Sequence, residues 1–192
     1  MKRERQAWQE KVKGLDPSRF IFLDEANAKT TMTRLYGRGP LGMRVVDHVP
    51  DGRWESTTML AGLAWEGAGP CLTYQGGTDI PTMLTYVKRL LVPVLRPRHI
   101  VVMDNLSSHK HRKVAAAIES TGAQVWFLPR YSPDFNPIER MWSKVKAYLR
   151  KVAARTKEAL FKAIGEALAT ITAEDARNWT RHAGYNVANN ES

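Results

Sequence analysis

Cysteine is almost missing from this sequence: Cys71 is alone among 192 residues. That excludes an internal disulfide and a zinc site built on several thiolates, and it is compatible with a reducing compartment. Long hydrophobic runs are missing as well. No stretch reaches the roughly 18 apolar residues of a membrane-spanning helix. The polar start Met-Lys-Arg-Glu-Arg-Gln lacks the apolar centre of a secretory signal. A soluble, intracellular chain with no membrane partner is therefore expected. Acidic residues are the scarcer charge, 19 against 29 Lys and Arg, for a formal net charge of +10. A surplus of that size favours a polyanionic partner, most simply nucleic acid. Internal repeats and low-complexity tracts are absent. The ordinary features are 43% hydrophobic and 25% charged residues, enough for one domain with a proper core.

Residues 1–15 are charged and fit a short helix, stopped at Leu15-Asp16-Pro17 because the residue before proline disfavours the α region. Residues 1–19 as a whole read as a linker or the remnant of a missing N-terminal region. Strand-like runs begin at Phe20: Phe20–Glu25, Met43–Val49, Thr57–Trp65 and Cys71–Tyr74. The period then becomes helical from Ile80 to Leu95, with Thr78 or Asp79 as N-cap and Pro81 in the first turn. A buried strand at 100–103, a helix at about 110–120, a short strand at 125–128 and helices at about 137–151, 157–171 and 173–182 complete the pattern. Thr172 and Asp175 form a capping box. Strands first, strand–helix alternation next and helices last predict an α/β domain with a mixed sheet.

Three acids stand at element ends. Asp24 ends or nearly ends the run Phe20-Ile-Phe-Leu-Asp24, and Asp104 closes His99-Ile-Val-Val-Met-Asp104. Glu139 follows the stiff loop Leu-Pro-Arg-Tyr-Ser-Pro-Asp-Phe-Asn-Pro, with 34 residues between it and Asp104, where an amphipathic helix starts. Hard carboxylate oxygens suit Mg²⁺, and two such ions roughly 3.5–4 Å apart stabilise both oxygens of an in-line phosphoryl displacement. Glu139 has a second reading. With Asn136 as N-cap it occupies the third helical position and can reach back to the cap amide. It also lies at the border of the stripe Ile138, Trp142, Val145 and Leu149, from which it can reach an acidic site on the sheet.

Phe-Leu-Asp24-Glu, Val-Val-Met-Asp104-Asn-Leu-Ser-Ser-His and Leu-Pro-Arg-Tyr-Ser-Pro-Asp-Phe-Asn-Pro-Ile-Glu139-Arg-Met-Trp strongly resemble the DDE transposases of bacterial insertion sequences, in the branch related to the mariner superfamily. The resemblance runs from about Phe20 to Tyr185. It implies a ribonuclease-H-like mixed sheet flanked by helices, with extra C-terminal helices. It also implies a catalytic domain over 20–185, a disordered tail at 186–192, and Asp24, Asp104 and Glu139 as the metal-binding catalytic triad. Mg²⁺ is the implied cofactor, with Mn²⁺ able to substitute. The implied activity is DNA cleavage at element ends and strand transfer, commonly at a TA dinucleotide, by a homodimer located with the nucleoid. Family members usually carry an N-terminal helix-turn-helix region, and nothing before Phe20 is long enough for one. A catalytic half with weak or sequence-indifferent DNA binding is expected. A structure-specific nuclease of the same fold, or an idle DNA-binding remnant, are the alternatives.

Lys110, Arg112 and Lys113 past Asp104, Arg130 in the proline loop, and Arg140 and Lys144 beside Glu139 are the candidate phosphate contacts. Asn105, His109 and Asn136 are auxiliary candidates, with Asn105 and His109 expected to orient water or phosphate. Glu25 should face away from Asp24, since successive strand residues alternate. Asp134 reads as a turn or solvated residue. Ser107 or Ser108 is expected to cap the helix that follows, since no glycine-flanked nucleophile elbow surrounds them. Trp54, Trp65, Trp126 and Trp142 are expected in the core.

Overall fold

A computed structural model describes residues 2–51 and 54–186. Among them one five-stranded sheet carries the fold: β1 (Phe20–Lys29), β2 (Ser56–Ala64), β3 (Gly67–Tyr74), β4 (Ile100–Met103) and β5 (Gln124–Phe127). The spatial order is β3-β2-β1-β4-β5. β1, β2 and β3 form an antiparallel meander, whereas β4 and β5 run parallel to β1. This is the mixed sheet expected from the sequence. Parallel neighbours require crossover connections. Helix α2 (Ile80–Tyr86) lies in the one between β3 and β4, and α3 (Arg112–Glu119) in the one between β4 and β5.

Side-chain alternation divides the interior into two layers. Phe20, Phe22, Ile100 and Val102 belong to the larger cluster, with α4 (Ile138–Val152), α5 (Lys157–Ala169) and α6 (Ala173–His182) over them. Ile21, Leu23, Val101 and Met103 face Met83, Tyr86, Val114 and Ile118 on the other side. α4 docks through Ile138, Met141, Trp142, Val145 and Leu149, all buried. Burying each such side chain is worth roughly 1.5–3 kcal/mol relative to exposure. α4 ends where Ala153 takes a left-handed conformation (φ 54°) and donates its N–H to the Leu149 carbonyl. The capping box of Thr172 and Asp175 is present at α6, and Asp79 caps α2 through the Thr82 N–H.

Four local expectations are corrected. Residues 43–49 are not a strand: Met43, Val45, Val46 and Val49 are 68, 49, 76 and 71% exposed, in a long excursion between β1 and β2. An alternating apolar pattern makes a strand only when a sheet edge pairs with it, and this segment meets none. The helix expected over 80–95 stays α-helical only to Tyr86, then widens at 87–91 and tightens at 92–94. Pro93 has no N–H to donate and its ring crowds the preceding turn, so the ladder changes hydrogen-bonding partner. α3 is capped by His111, whose ring nitrogen accepts from the Lys113 N–H, and not by Ser107 or Ser108. Trp54 is 57% exposed rather than in the core, whereas Trp142 is 2% exposed.

The first 19 residues, linker-like in composition, contribute to the packing. Helix α1 (Lys2–Val12) buries Trp8 and Val12 in the larger cluster. The expected disordered tail falls almost wholly on residues 187–192, outside the described residues. Among the described residues no helix is long and apolar enough to cross a membrane.

Candidate active site

The register of the parallel pair brings two of the acids together. Phe22 is level with Val102 where β1 and β4 pair. Two residues on, β1 reaches Asp24 and the chain leaving β4 reaches Asp104, so the two stand side by side at the carboxyl end of β4. Both carry the parity of Phe22 and Val102, which face α4. Glu139 stands in the first turn of that helix. All three line one cavity of about 600 Å³ with Asn105, Leu106, the 128–133 segment and Asn136.

Asp24 is held at both oxygens. Oδ1 accepts the Glu25 N–H at 2.8 Å, and Oδ2 accepts the Asn136 side-chain amide at 3.1 Å. Burial, reinforced by the negative charges of Glu139, Glu25 and Asp104, pushes its pKa up to about 7 against the opposing Glu25 N–H. Asp104 behaves oppositely. Burial raises it, but His109, the Leu106 N–H (2.9 Å) and Lys110 outweigh that, and its pKa is lowered. One carboxylate of the pair is therefore proton-loving and the other firmly ionised.

His109 does not meet water or phosphate as expected, because it is 0% exposed. Its Nε2 lies 3.0 Å from Glu25 Oε1, and its Nδ1 lies 2.6 Å from Asp104 Oδ1, off the line of the ring N–H. Burial opposes the imidazolium, yet Asp104 and Glu25 together raise the pKa to about 9. Asn105 also turns inward, donating to the Leu128 carbonyl at 2.6 Å, so it ties the ends of β4 and β5 rather than orienting a ligand. Asn136 does not cap α4. The cap position is Pro137, with no side-chain bond, and the Asn136 amide serves Asp24 instead.

The loop before Glu139 is clamped from outside the acid motifs. Arg5 of α1 forks onto Asp134 at 2.6 and 2.9 Å, donates to Ser132 Oγ at 2.9 Å, and stacks 4.4 Å from the Phe135 ring centre. The Tyr185 hydroxyl donates to the Phe135 carbonyl at 2.9 Å and receives the Trp8 indole N–H at 3.1 Å. Asp134 is thus occupied in a structural fork. Sequence reasoning missed Arg5 because its partners lie more than a hundred residues away, and no local pattern marks it.

The basic candidates separate into two groups. Lys110, Arg112, Lys113 and Arg130 are exposed, Arg130 lines the cavity, and Lys110 acts on the Asp104 charge. Lys144 is engaged by Asp175 at 2.6 Å and the Thr170 carbonyl at 3.0 Å, which makes it a tie between helices rather than an open phosphate contact. Arg140 is exposed but contacts the His182 ring.

The donor set fits hard divalent cations: three carboxylates, one with its pKa pushed up to about 7 by burial and by its negative neighbours, a repulsion that a cation would relieve. Among the described residues no three acids or histidines are compact enough to hold an ion as the side chains stand.

Residues 19–161, well over half the chain, match the family model described as DDE superfamily endonuclease. The chain belongs to the DDE superfamily of endonucleases. No curated protein matches the sequence significantly. Among solved structures, the Mos1 transposase paired-end complex with left transposon end superposes with a TM-score of 0.78 at 17% identity, covering 95% of this chain and 57% of that one. The Mos1 mariner paired-end complex with Mn gives 0.73 at 16% identity, covering 95% and 58%. The catalytic domain of Mos1 mariner transposase gives 0.66 at 15% identity, covering 95% and 86%. At these identities the likeness establishes the fold, the ribonuclease-H-like sheet expected above. This DDE chain spans a little over half the length of the Mos1 chains in the paired-end complexes and most of the isolated catalytic domain.

Proposed function

We propose that this chain is the catalytic domain of a DNA transposase, in which Asp24, Asp104 and Glu139 cut and rejoin phosphodiesters with two divalent cations. The observation that carries this reading is the level placement of Asp24 and Asp104 under a helix with Glu139 in its first turn, in a single cavity edged by Arg130. The carboxylate donor set suits Mg²⁺, and Mn²⁺ can substitute. When bound, the two ions supply Lewis-acid stabilisation of the attacking and leaving oxygens.

The chain's own residues prepare that chemistry. Asp24 must shed its proton to act as a ligand, so cation binding here releases protons. The Asn136 amide and the Glu25 N–H keep its oxygens in place while it does so. Asp104 is already ionised, and its Oδ1 is occupied by the Leu106 N–H and His109. We assign the cation to the other oxygen, Oδ2. Glu139 approaches from the start of α4, where unsatisfied backbone N–H groups also favour a nearby phosphate. Lys110, Arg112, Lys113 and Arg130 neutralise DNA backbone charge without reading bases. Joining two element ends needs two such sites, so a homodimer is the expected active form, acting where chromosomal DNA lies.

Asp104→Asn should lower Mg²⁺-dependent nicking of duplex DNA by at least about 10²-fold while the melting profile stays cooperative. Undiminished nicking overturns the assignment. Strand transfer of precleaved ends then separates a transposase from a hydrolytic nuclease of the same fold, which would release ends without joining them.

A further inference from the structure

Glu25 is a half-buried acid beside the triad that the chemistry above uses only through its backbone N–H. It follows Asp24 on β1, and its side chain falls on the opposite face of the sheet. His109 spans that division. Its ring is fully buried at the carboxyl end of β4, with Nε2 hydrogen-bonded to Glu25 Oε1 at 3.0 Å and Nδ1 2.6 Å from Asp104 Oδ1, an ion-pair contact off the hydrogen-bond line. We propose that Glu25 and His109 are positioning residues: a carboxylate–imidazole brace that fixes the Asp104 side chain so that one oxygen faces the cavity as a cation ligand. The proposal rests on the two-cation reading of the triad.

Three features of the geometry favour a brace over incidental packing. Glu25 has a side chain only 11% exposed, and its Oε2 is buried with no hydrogen-bond partner. Leaving a buried carboxylate oxygen unpaired is costly, and an apolar residue would fill the same space without that penalty. The imidazole is wedged between the two carboxylates by neighbours that leave it no surface, which restricts its rotation. Asp104 is otherwise the freest acid on the sheet, 42% exposed and beyond the last β4 ladder pair, with the Leu106 N–H its one backbone tether. A ligand carboxylate at a frayed strand end gains most from an outer support, and such supports are worth about 10–100-fold in metal affinity.

The test is Mn²⁺ binding to the DNA-free protein, followed by electron paramagnetic resonance, with melting measured in parallel. Glu25→Ala and His109→Ala should each weaken Mn²⁺ binding by about tenfold. Glu25→Gln, which keeps a hydrogen-bonding partner for the ring, should recover most of that loss, and Asp104→Asn should abolish binding. A purely structural contribution would lower the melting temperature of the alanine variants and leave the dissociation constant unchanged. Wild-type affinity in folded Glu25→Ala and His109→Ala, with Asp104→Asn inactive in binding, overturns the brace and leaves the triad standing. Wild-type affinity in Asp104→Asn as well overturns the metal site itself and the brace with it. If His109→Ala does not fold, the comparison of Glu25→Ala with Glu25→Gln decides alone, because it leaves the packed ring intact.

Discussion

At the scale of single residues, the site is set by contrast between two neighbouring aspartates. Asp24 and Asp104 are chemically identical side chains two positions past a paired rung, yet one is pushed up to about 7 and the other is lowered. The difference lies in burial, the larger cause at Asp24, and in partners: Asp24 has Glu139, Glu25 and Asp104 around it, while Asp104 has His109 and Lys110. In the metal-free protein Asp24 therefore carries a pH-dependent penalty. Between its ordinary value of 3.8 and about 7, the folded state holds a proton that the unfolded chain has released, so stability falls as pH rises through that window and is then level. Asp24→Asn removes this penalty. In EDTA at pH 8 it should melt above the parent by at most about 4 kcal/mol in stability, or about 2–4 °C per kcal/mol, and the gain should vanish near pH 3.5. Thermal melts at the two pH values check the sign, and a variant less stable than the parent at pH 8 contradicts it. With Mn²⁺ present the order should reverse, because the variant lacks one of the proposed ligands.

At the scale of elements, the proline loop matters more than its sequence suggests. It holds Asn136 against Asp24 and launches α4 with Glu139, and α1 grips it through Arg5. The Arg5–Asp134 fork is exposed, with side chains 35 and 56% accessible, so its contribution to global stability is small. Its effect should appear in the chemistry instead. Arg5→Ala lets the loop shift, and a displacement of reacting groups by about 1 Å costs up to roughly 10²-fold in rate. Single-turnover nicking should fall within that range with little change in melting. Asp134→Ala should have the same effect, and the double variant should be no worse than either single one. Additive losses would show that the two residues act separately. Composition along 1–19 gives a linker, whereas burial of Trp8 and Val12 makes the helix a working part of the domain.

For the molecule as a whole, the formal charge of +10 matters through where it lies. Lys110, Arg112, Lys113 and Arg130 remain exposed, while Lys144 is spent on Asp175. DNA affinity should fall steeply with salt. Replacing each of the first four by Ala should reduce the log–log salt slope by about 1, whereas Lys144→Ala should leave it unchanged. Fluorescence anisotropy with a labelled duplex measures both, and an equal loss of slope for Lys144→Ala would show that its ion pair opens on DNA.

Local chemistry was enough to reveal the mixed sheet, the cap at Thr172, the choice of Thr78 or Asp79 as cap of α2, and the three acids as the candidate site. Each cap, strand and acid was read from its own near neighbours, where periodicity and capping rules operate. Only the tertiary structure decided which polar groups face one another. It turned His109 inward between Glu25 and Asp104, assigned Asn136 to Asp24, coupled Arg5 to the loop before Glu139, and left residues 43–49 without a sheet partner. The reason is range. A hydrophobic period is set by near neighbours, whereas a buried polar contact or a strand's pairing edge depends on which distant segment the folded chain brings against it.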